Sequence, residues 1–146
     1  MNLTDLVRAR IVVEGDIQKV GYRDLVQTIA TGLGVKGFVE NLKDGTVQIV
    51  CETQEEALKK FIKKIKVKQD FVEVKKARIV ETSTATAEFE YFGIKYGPLE
   101  YELGEALGPL IKYAGAILED IRNMHRELNA MRTDPKEATA GIRGSI

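Results

Sequence analysis

Histidine and cysteine are almost absent from this 146-residue chain, which has one of each, His125 and Cys51. A single thiol cannot form an internal disulfide. A lone cysteine in a strand-like run suits a reducing compartment, so a cytoplasmic location is expected. One histidine and one cysteine also fall short of the usual zinc spacings. Cys51 has neither a histidine nor a cationic cluster beside it in sequence, so it reads as a buried strand thiol rather than a nucleophile. His125, far along the C-terminal half, reads as structural or surface. No apolar run is long enough to span a membrane. Asp5, Arg8 and Arg10 interrupt any secretory leader core in the first ten residues. Net charge is missing too: Lys+Arg and Asp+Glu stand at 22 each, which argues against a generic polyanion binder. What remains is 44% apolar and 30% charged residues, the composition of one folded soluble domain with an appendage.

The most informative stretch is Glu14-Gly-Asp-Ile-Gln-Lys-Val-Gly-Tyr-Arg23. It follows a strand expected over Arg8–Glu14 and opens a helix expected to run to Leu33, with Gly34 closing it. Gly15 and Gly21 bracket a short turn from strand into helix. Such a loop, wrapped around a helix N-terminus with its unpaired N–H groups, is a natural anion cradle. Arg23 sits in the first helical turn, where a cation opposes the helix dipole. An anionic ligand explains it better, because a guanidinium fork holds two phosphate oxygens at once. The alternative is a plain turn with a solvent-facing arginine.

Further along, Val35–Glu40 and Thr46–Glu52 predict strands around the Asp44-Gly45 turn, with Val47, Ile49 and Cys51 on one face. Thr53-Gln-Glu-Glu56 has a capping-box pattern before an amphipathic helix striped by Ala57, Leu58, Phe61, Ile62 and Ile65. Its lysines read as a solvated face. Val72–Val80 predicts a fourth strand, with an apolar phase slip between Val74 and Ala77 that points to a bulge. Thr82–Ala87 reads as a polar loop and Glu88–Tyr96 as a short fifth strand. The order β-α-β-β-α-β predicts an α+β, ferredoxin-like sandwich: an antiparallel sheet with two helices on one face. Fold alone assigns no function.

The appendage reads differently. Leu103, Leu107, Leu110, Ala114, Ile117, Ile121, Met124, Leu128 and Met131 step by four and three, a sustained heptad pattern. Pro109 is expected to start or kink the main helix, and Thr133-Asp-Pro135 to end it. The organisation expected is a domain over 1–97, a helical, coiled-coil-like extension over 98–135 and a flexible tail over 136–146. Left in water, the stripe exceeds what soluble monomers usually expose. Its regular spacing favours a homo-oligomer through Pro109–Met131 over docking on the domain's own sheet.

The chemistry open to these residues is narrow. The loop is not a Walker A motif. An anion cradle, an arginine and nearby amides suffice to hold a phosphoryl group and place a water. They serve only a substrate with a good leaving group, such as a mixed carboxylic–phosphoric anhydride.

Gly15-Asp-Ile-Gln-Lys-Val-Gly-Tyr-Arg23 resembles the Gly-x-Val-Gln-Gly-Val-x-Phe/Tyr-Arg signature of the acylphosphatases. Gly37-Phe-Val-Glu-Asn41 and the turn after it are similar to that family's Gly-x-Val-x-Asn motif. Phe92-Gly-Ile-Lys-Tyr96 resembles its closing strand. The resemblance covers Arg8 to Gly97. It implies hydrolysis of a small acyl phosphate to a carboxylate and inorganic phosphate, without metal or cofactor; the balanced charge and short apolar runs add the expectation of no nucleic-acid or membrane partner. It implies that Arg23 binds phosphoryl oxygens together with backbone amides from Gln18, Lys19, Val20, Gly21 and Tyr22, and that Asn41 orients the attacking water. Lys19 departs from the family's glycine. If the position needs positive φ, lysine adopts it at a cost of roughly 1 kcal/mol; alternatively it contacts phosphate or obstructs the cradle. The helix after Pro98 is absent from small family members. A catalytically weak phosphate-binding or scaffold module is therefore the rival reading. An RNA-binding fold with the same strand order is disfavoured, because Lys36-Gly-Phe-Val39 precedes the central hairpin and no aromatic in the first strand completes a stacking pair.

Overall fold

The structure, a computed structural model, describes residues 5–131. Its elements are β1 (Leu6–Asp16), α1 (Tyr22–Leu33), β2 (Lys36–Asn41), β3 (Val47–Gln54), α2 (Glu55–Ile65), β4 (Lys68–Gln69), β5 (Val72–Thr84), β6 (Phe92–Lys95) and α3 (Leu99–Ala130). The sheet runs β4-β5-β1-β3-β2-β6. Its central strands are antiparallel, and β6 joins the edge parallel to β2. This is the expected ferredoxin-like sandwich with one parallel pair added.

Alternation builds the core. Ala9, Ile11 and Val13 of β1 and Val47, Ile49 and Cys51 of β3 point the same way and are fully buried. Tyr22, Val26 and Ala30 of α1 and Leu58, Phe61 and Ile65 of α2 complete the same cluster. Phe61 meets Phe92 edge-on, with ring centroids 6.0 Å apart. Truncating a phenylalanine buried this way costs about 3–5 kcal/mol. Burial pushes the Cys51 thiol up to about 12, which keeps it an inert apolar group. Gly34 closes α1 in the left-handed conformation, and the next residue, Val35, donates its N–H to Ala30 O at 2.9 Å.

Several expectations are corrected. Thr53 is not a helix cap: it is a buried strand residue paired with Val7, and α2 follows Gln54 without a side-chain cap. Thr82–Thr84 belongs to β5, because Val7–Ala9 extends far enough to pair with it. The bulge between Val74 and Ala77 is present, with Lys75 skipped in the ladder, and a second skips Val80. The last strand is confined to Phe92–Lys95.

The chain divides into two compact units, residues 1–109 and 110–146. The first contains the sheet, α1, α2 and the opening turns of α3. That helix begins at Leu99, ahead of the expected start, and Pro109 lies inside it. In the second unit, Leu110, Ile111, Ile117, Leu118, Ile121, Met124 and Leu128 of α3 are exposed, as is Met131 just after it. The expected stop at 133–135 and the tail lie outside the described residues. No helix among the described residues is long and apolar enough to cross a membrane.

Candidate active site

The loop between β1 and α1 is anchored at both ends. Gly15 has φ +145°, and a Cβ there would lie 2.1 Å from Glu73 O, so only glycine lets β1 pass β5 this closely. Ile17 is buried and Val20 packs on the core. Gly21 caps α1 with φ 81°, in the left-handed region. Tyr22 is fully buried and donates its hydroxyl to Ile65 O at 2.8 Å, which ties the start of α1 to the end of α2. Lys19 takes φ 61°, so the positive φ expected to strain a lysine is real.

Two links bring the distant motifs together. Gln18 donates both amide hydrogens to the β2–β3 turn, to Leu42 O and Thr46 O, each at 2.9 Å. That turn follows Asn41, the last residue of β2, so the tie sets Asn41 beside the cradle. Arg23 is buried at 6% exposure. Its guanidinium donates to Lys95 O at 3.4 Å and lies over the Tyr96 ring, 5.4 Å from the centroid. The loop, the β2 end and the β6 end thus converge on one site, as the three motifs require.

The first turns of α3 sit in that site. Glu102 forms a two-pronged pair with Arg23: Nη1 reaches Oε2 at 3.0 Å and Nη2 bonds Oε1. Glu102 Oε2 also accepts the Gly97 N–H at 2.6 Å. Glu105, at 8% exposure, accepts the backbone N–H of Lys19 and lies 3.8 Å from Arg23 Nη2. The Tyr101 hydroxyl accepts from Asn41 Nδ2 at 3.0 Å and donates to Gln18 Oε1 at 2.6 Å. Gln18 forces this direction. Both its amide hydrogens are spent on carbonyls, so its oxygen must accept and the tyrosine must donate. Asn41 Oδ1 is buried without a hydrogen-bond partner among the described residues.

The electrostatics follow. Burial works against the Arg23 charge, but the Glu102 carboxylate outweighs it and holds the guanidinium above its ordinary range. The Arg23 hydrogen bonds hold the Glu102 carboxyl below its ordinary range against the opposing effect of burial. Burial, and then the nearby Glu105, push the Tyr101 phenol up, so it stays a neutral donor. Two cavities open on either side. One, about 290 Å³, is lined by Gly21, Arg23, Tyr96, Glu102 and Glu105. The other, about 340 Å³, is lined by Asn41, Leu42, Pro98, Tyr101 and Glu102. No group of three or more potential metal ligands occurs among the described residues.

The acylphosphatase family model matches residues 9–94. An acylphosphatase from Bacillus licheniformis is 38% identical over 91 residues, 62% of this chain and 100% of the relative. One from Thermotoga maritima is 38% identical over 87 residues, 60% of this chain and 94% of its own length. The crystal structure of acylphosphatase from Bacillus subtilis superposes with a TM-score of 0.58 at 33% identity, covering 62% of this chain and 99% of that one. The chain belongs to the acylphosphatase family of hydrolases, whose reaction is the hydrolysis of acyl phosphates. α3 lies beyond the residues that the family model matches.

Sequence reasoning brought forward Gln18 to Arg23 and Asn41; of these, Gln18 and Asn41 are joined through Tyr101, and Arg23 and the Lys19 N–H through Glu105. It missed Tyr101, Glu102 and Glu105. Their signal was a polar face within an apolar-looking helix start, spaced by one, three and four residues, and the heptad stripe obscured it. Leu103 and Leu107 of that stripe are in fact about half exposed, at 53% and 49%. Glu105 is the buried α3 residue.

Proposed function

We propose that the chain hydrolyses a small acyl phosphate to a carboxylate and inorganic phosphate. The carrying observation is that the cradle already holds anions. Arg23 and the Lys19 N–H converge on carboxylate oxygens of Glu102 and Glu105, which stand in for phosphoryl oxygens. In turnover Arg23 would grip two phosphoryl oxygens, with the 18–22 amides on the same group. Asn41 would orient the water, and the Tyr101 hydroxyl, 3.0 Å from its Nδ2, marks where that oxygen would sit. The water oxygen bonds to phosphorus as the bond from phosphorus to the acyl oxygen breaks. The carboxylate leaves with the electron pair, and the water's proton passes to the phosphate product. A carboxylate needs no strong general acid to leave, so the lack of a histidine in this domain is no obstacle. Hydrolysis of benzoyl phosphate, followed at its ultraviolet absorbance and lost with Arg23→Ala, tests the reading. Phosphate binding without turnover would instead favour the scaffold module that the strained Lys19 keeps in view.

Two finer points belong to the same reading. The inert buried Cys51 suits the cytoplasm. The exposed heptad positions of 110–131 suit self-association, because four-three spacing is what repeated helix-on-helix contact requires. Light scattering on the full chain tests this. A chain ending at Pro98 should be monomeric.

A further inference from the structure

We propose that the opening turns of α3, Leu99–Pro109, are a built-in competitor of the phosphoryl substrate, so that the cradle works only after this segment leaves it; this rests on the acyl phosphate reading above. Three of the groups a substrate would use are already bound by side chains of the helix. Glu102 takes the Arg23 fork, Glu105 takes the Lys19 N–H, and Tyr101 takes the Asn41 amide. A phosphoryl group and a carboxylate cannot share one guanidinium fork, so binding of one excludes the other. The contact is shaped as well as charged. Gly108 approaches the cradle loop so closely that a Cβ on it would lie 2.4 Å from Lys19 O and 2.7 Å from Lys19 Cβ. Gly104, one turn earlier, faces Lys19 Cε, at 3.7 Å from where its own Cβ would be. Helix packing for its own sake would bury the leucines. Here Leu103 and Leu107 stay exposed while Glu105 is buried, so the helix is seated by its anions.

Closing the site this way lowers apparent affinity by the fraction of molecules that are open. If one molecule in ten or fewer is open, release should tighten phosphate binding about tenfold or more. Two full-chain variants release the segment by unrelated means. E102Q/E105Q removes the charges but keeps the side-chain shapes. G108L drives the helix from Lys19 by bulk and favours helix formation. Inorganic phosphate binding by calorimetry and benzoyl phosphate turnover are then compared with the parent. Both variants should bind phosphate about tenfold tighter and show a higher kcat/KM. The proposal is overturned if the parent already binds phosphate and turns over benzoyl phosphate as well as both variants do, a result that leaves the acylphosphatase reading intact. Folded variants that bind no better than the parent overturn it as well. Variants that bind phosphate tightly without turnover support the competitor and sink the hydrolase reading instead.

Discussion

Two of the arginine–glutamate pairs in this domain, Arg8–Glu52 and Arg23–Glu102, do opposite things. Arg8 of β1 meets Glu52 of β3 at 3.0 Å on the sheet face away from α1 and α2. Glu52 also accepts the N–H groups of Thr86 and Ala87, each at 2.8 Å, and the Thr86 hydroxyl at 3.0 Å. Its carboxylate is saturated by backbone, and it fastens the segment after β5 onto the sheet. Arg23 and Glu102 form the more direct fork, but around it lie loop amides, the Asn41 amide and two cavities. A carboxylate fenced in by the main chain is a lock. One that sits where a ligand's oxygens belong is an occupant that can leave. The partners of the anion, not the strength of the pair, separate the two roles.

The comparison breaks most sharply at the arginines. Arg23→Ala, made in the E102Q/E105Q background so that no buried carboxylate is left unpaired, should lower turnover and phosphate affinity by about 100-fold or more. Arg8→Ala should leave phosphate affinity within about twofold, since Arg8 contributes to the fold and not to the cradle. Calorimetric titration of both variants with phosphate reads the difference, and equal losses would erase the distinction between lock and occupant.

Next in size is the lock itself. Glu52→Ala leaves two backbone N–H groups without their acceptor and Arg8 with Glu88 as its remaining carboxylate, and should cost about 3 kcal/mol in urea unfolding. Glu102→Ala should cost less, because Gly97 and Arg23 both line open cavities and Arg23 keeps Glu105 at 3.8 Å. Asn41→Ala should cut kcat about 100-fold while phosphate inhibition is kept, as expected of a residue that places water and does not bind the anion. A variant that loses phosphate inhibition instead would put Asn41 in the cradle.

Acid should act on both pairs. Burial opposes ionisation of Glu52, but the Thr86 and Ala87 N–H groups and Arg8 outweigh it and hold the carboxyl below its ordinary range. Glu102 is held low chiefly by Arg23. A depressed carboxylate contributes stability that is fully present above its unfolded-state pKa and is lost as pH falls through its folded-state value. The parent should therefore lose stability on the acid side more steeply than Glu52→Gln, measured as urea midpoints from neutral pH downward. The smallest effect is at Lys19. Relieving its left-handed backbone with Lys19→Gly should stabilise the loop by at most about 1 kcal/mol, seen as slower amide exchange over 15–21.

The sequence by itself determined the element order apart from the two-residue β4, the loop with its two glycines, and Arg23 and Asn41 as the residues to watch. Those features are local. Apolar period, a turn-forming Asp44-Gly45 and a left-handed Gly21 act within a few residues of chain, so a linear reading captures them. The bulge at Lys75 was legible for the same reason, as a slip in alternation. Tertiary structure alone decided how far Thr82–Thr84 extends as strand, because that depends on pairing with Val7–Ala9 across the sheet. It also turned Thr53 from a helix cap into a ladder residue. Above all, it chose which face of α3 packs. Period placed Leu103 and Leu107 on an apolar stripe, while the face of α3 turned to the domain carries Tyr101, Glu102 and Glu105, which meet Asn41, Arg23 and the Lys19 N–H. Arg23 and Glu102 are 79 positions apart. No local pattern marks that pair, because the fork exists only once β1, β2 and β6 have brought the cradle together.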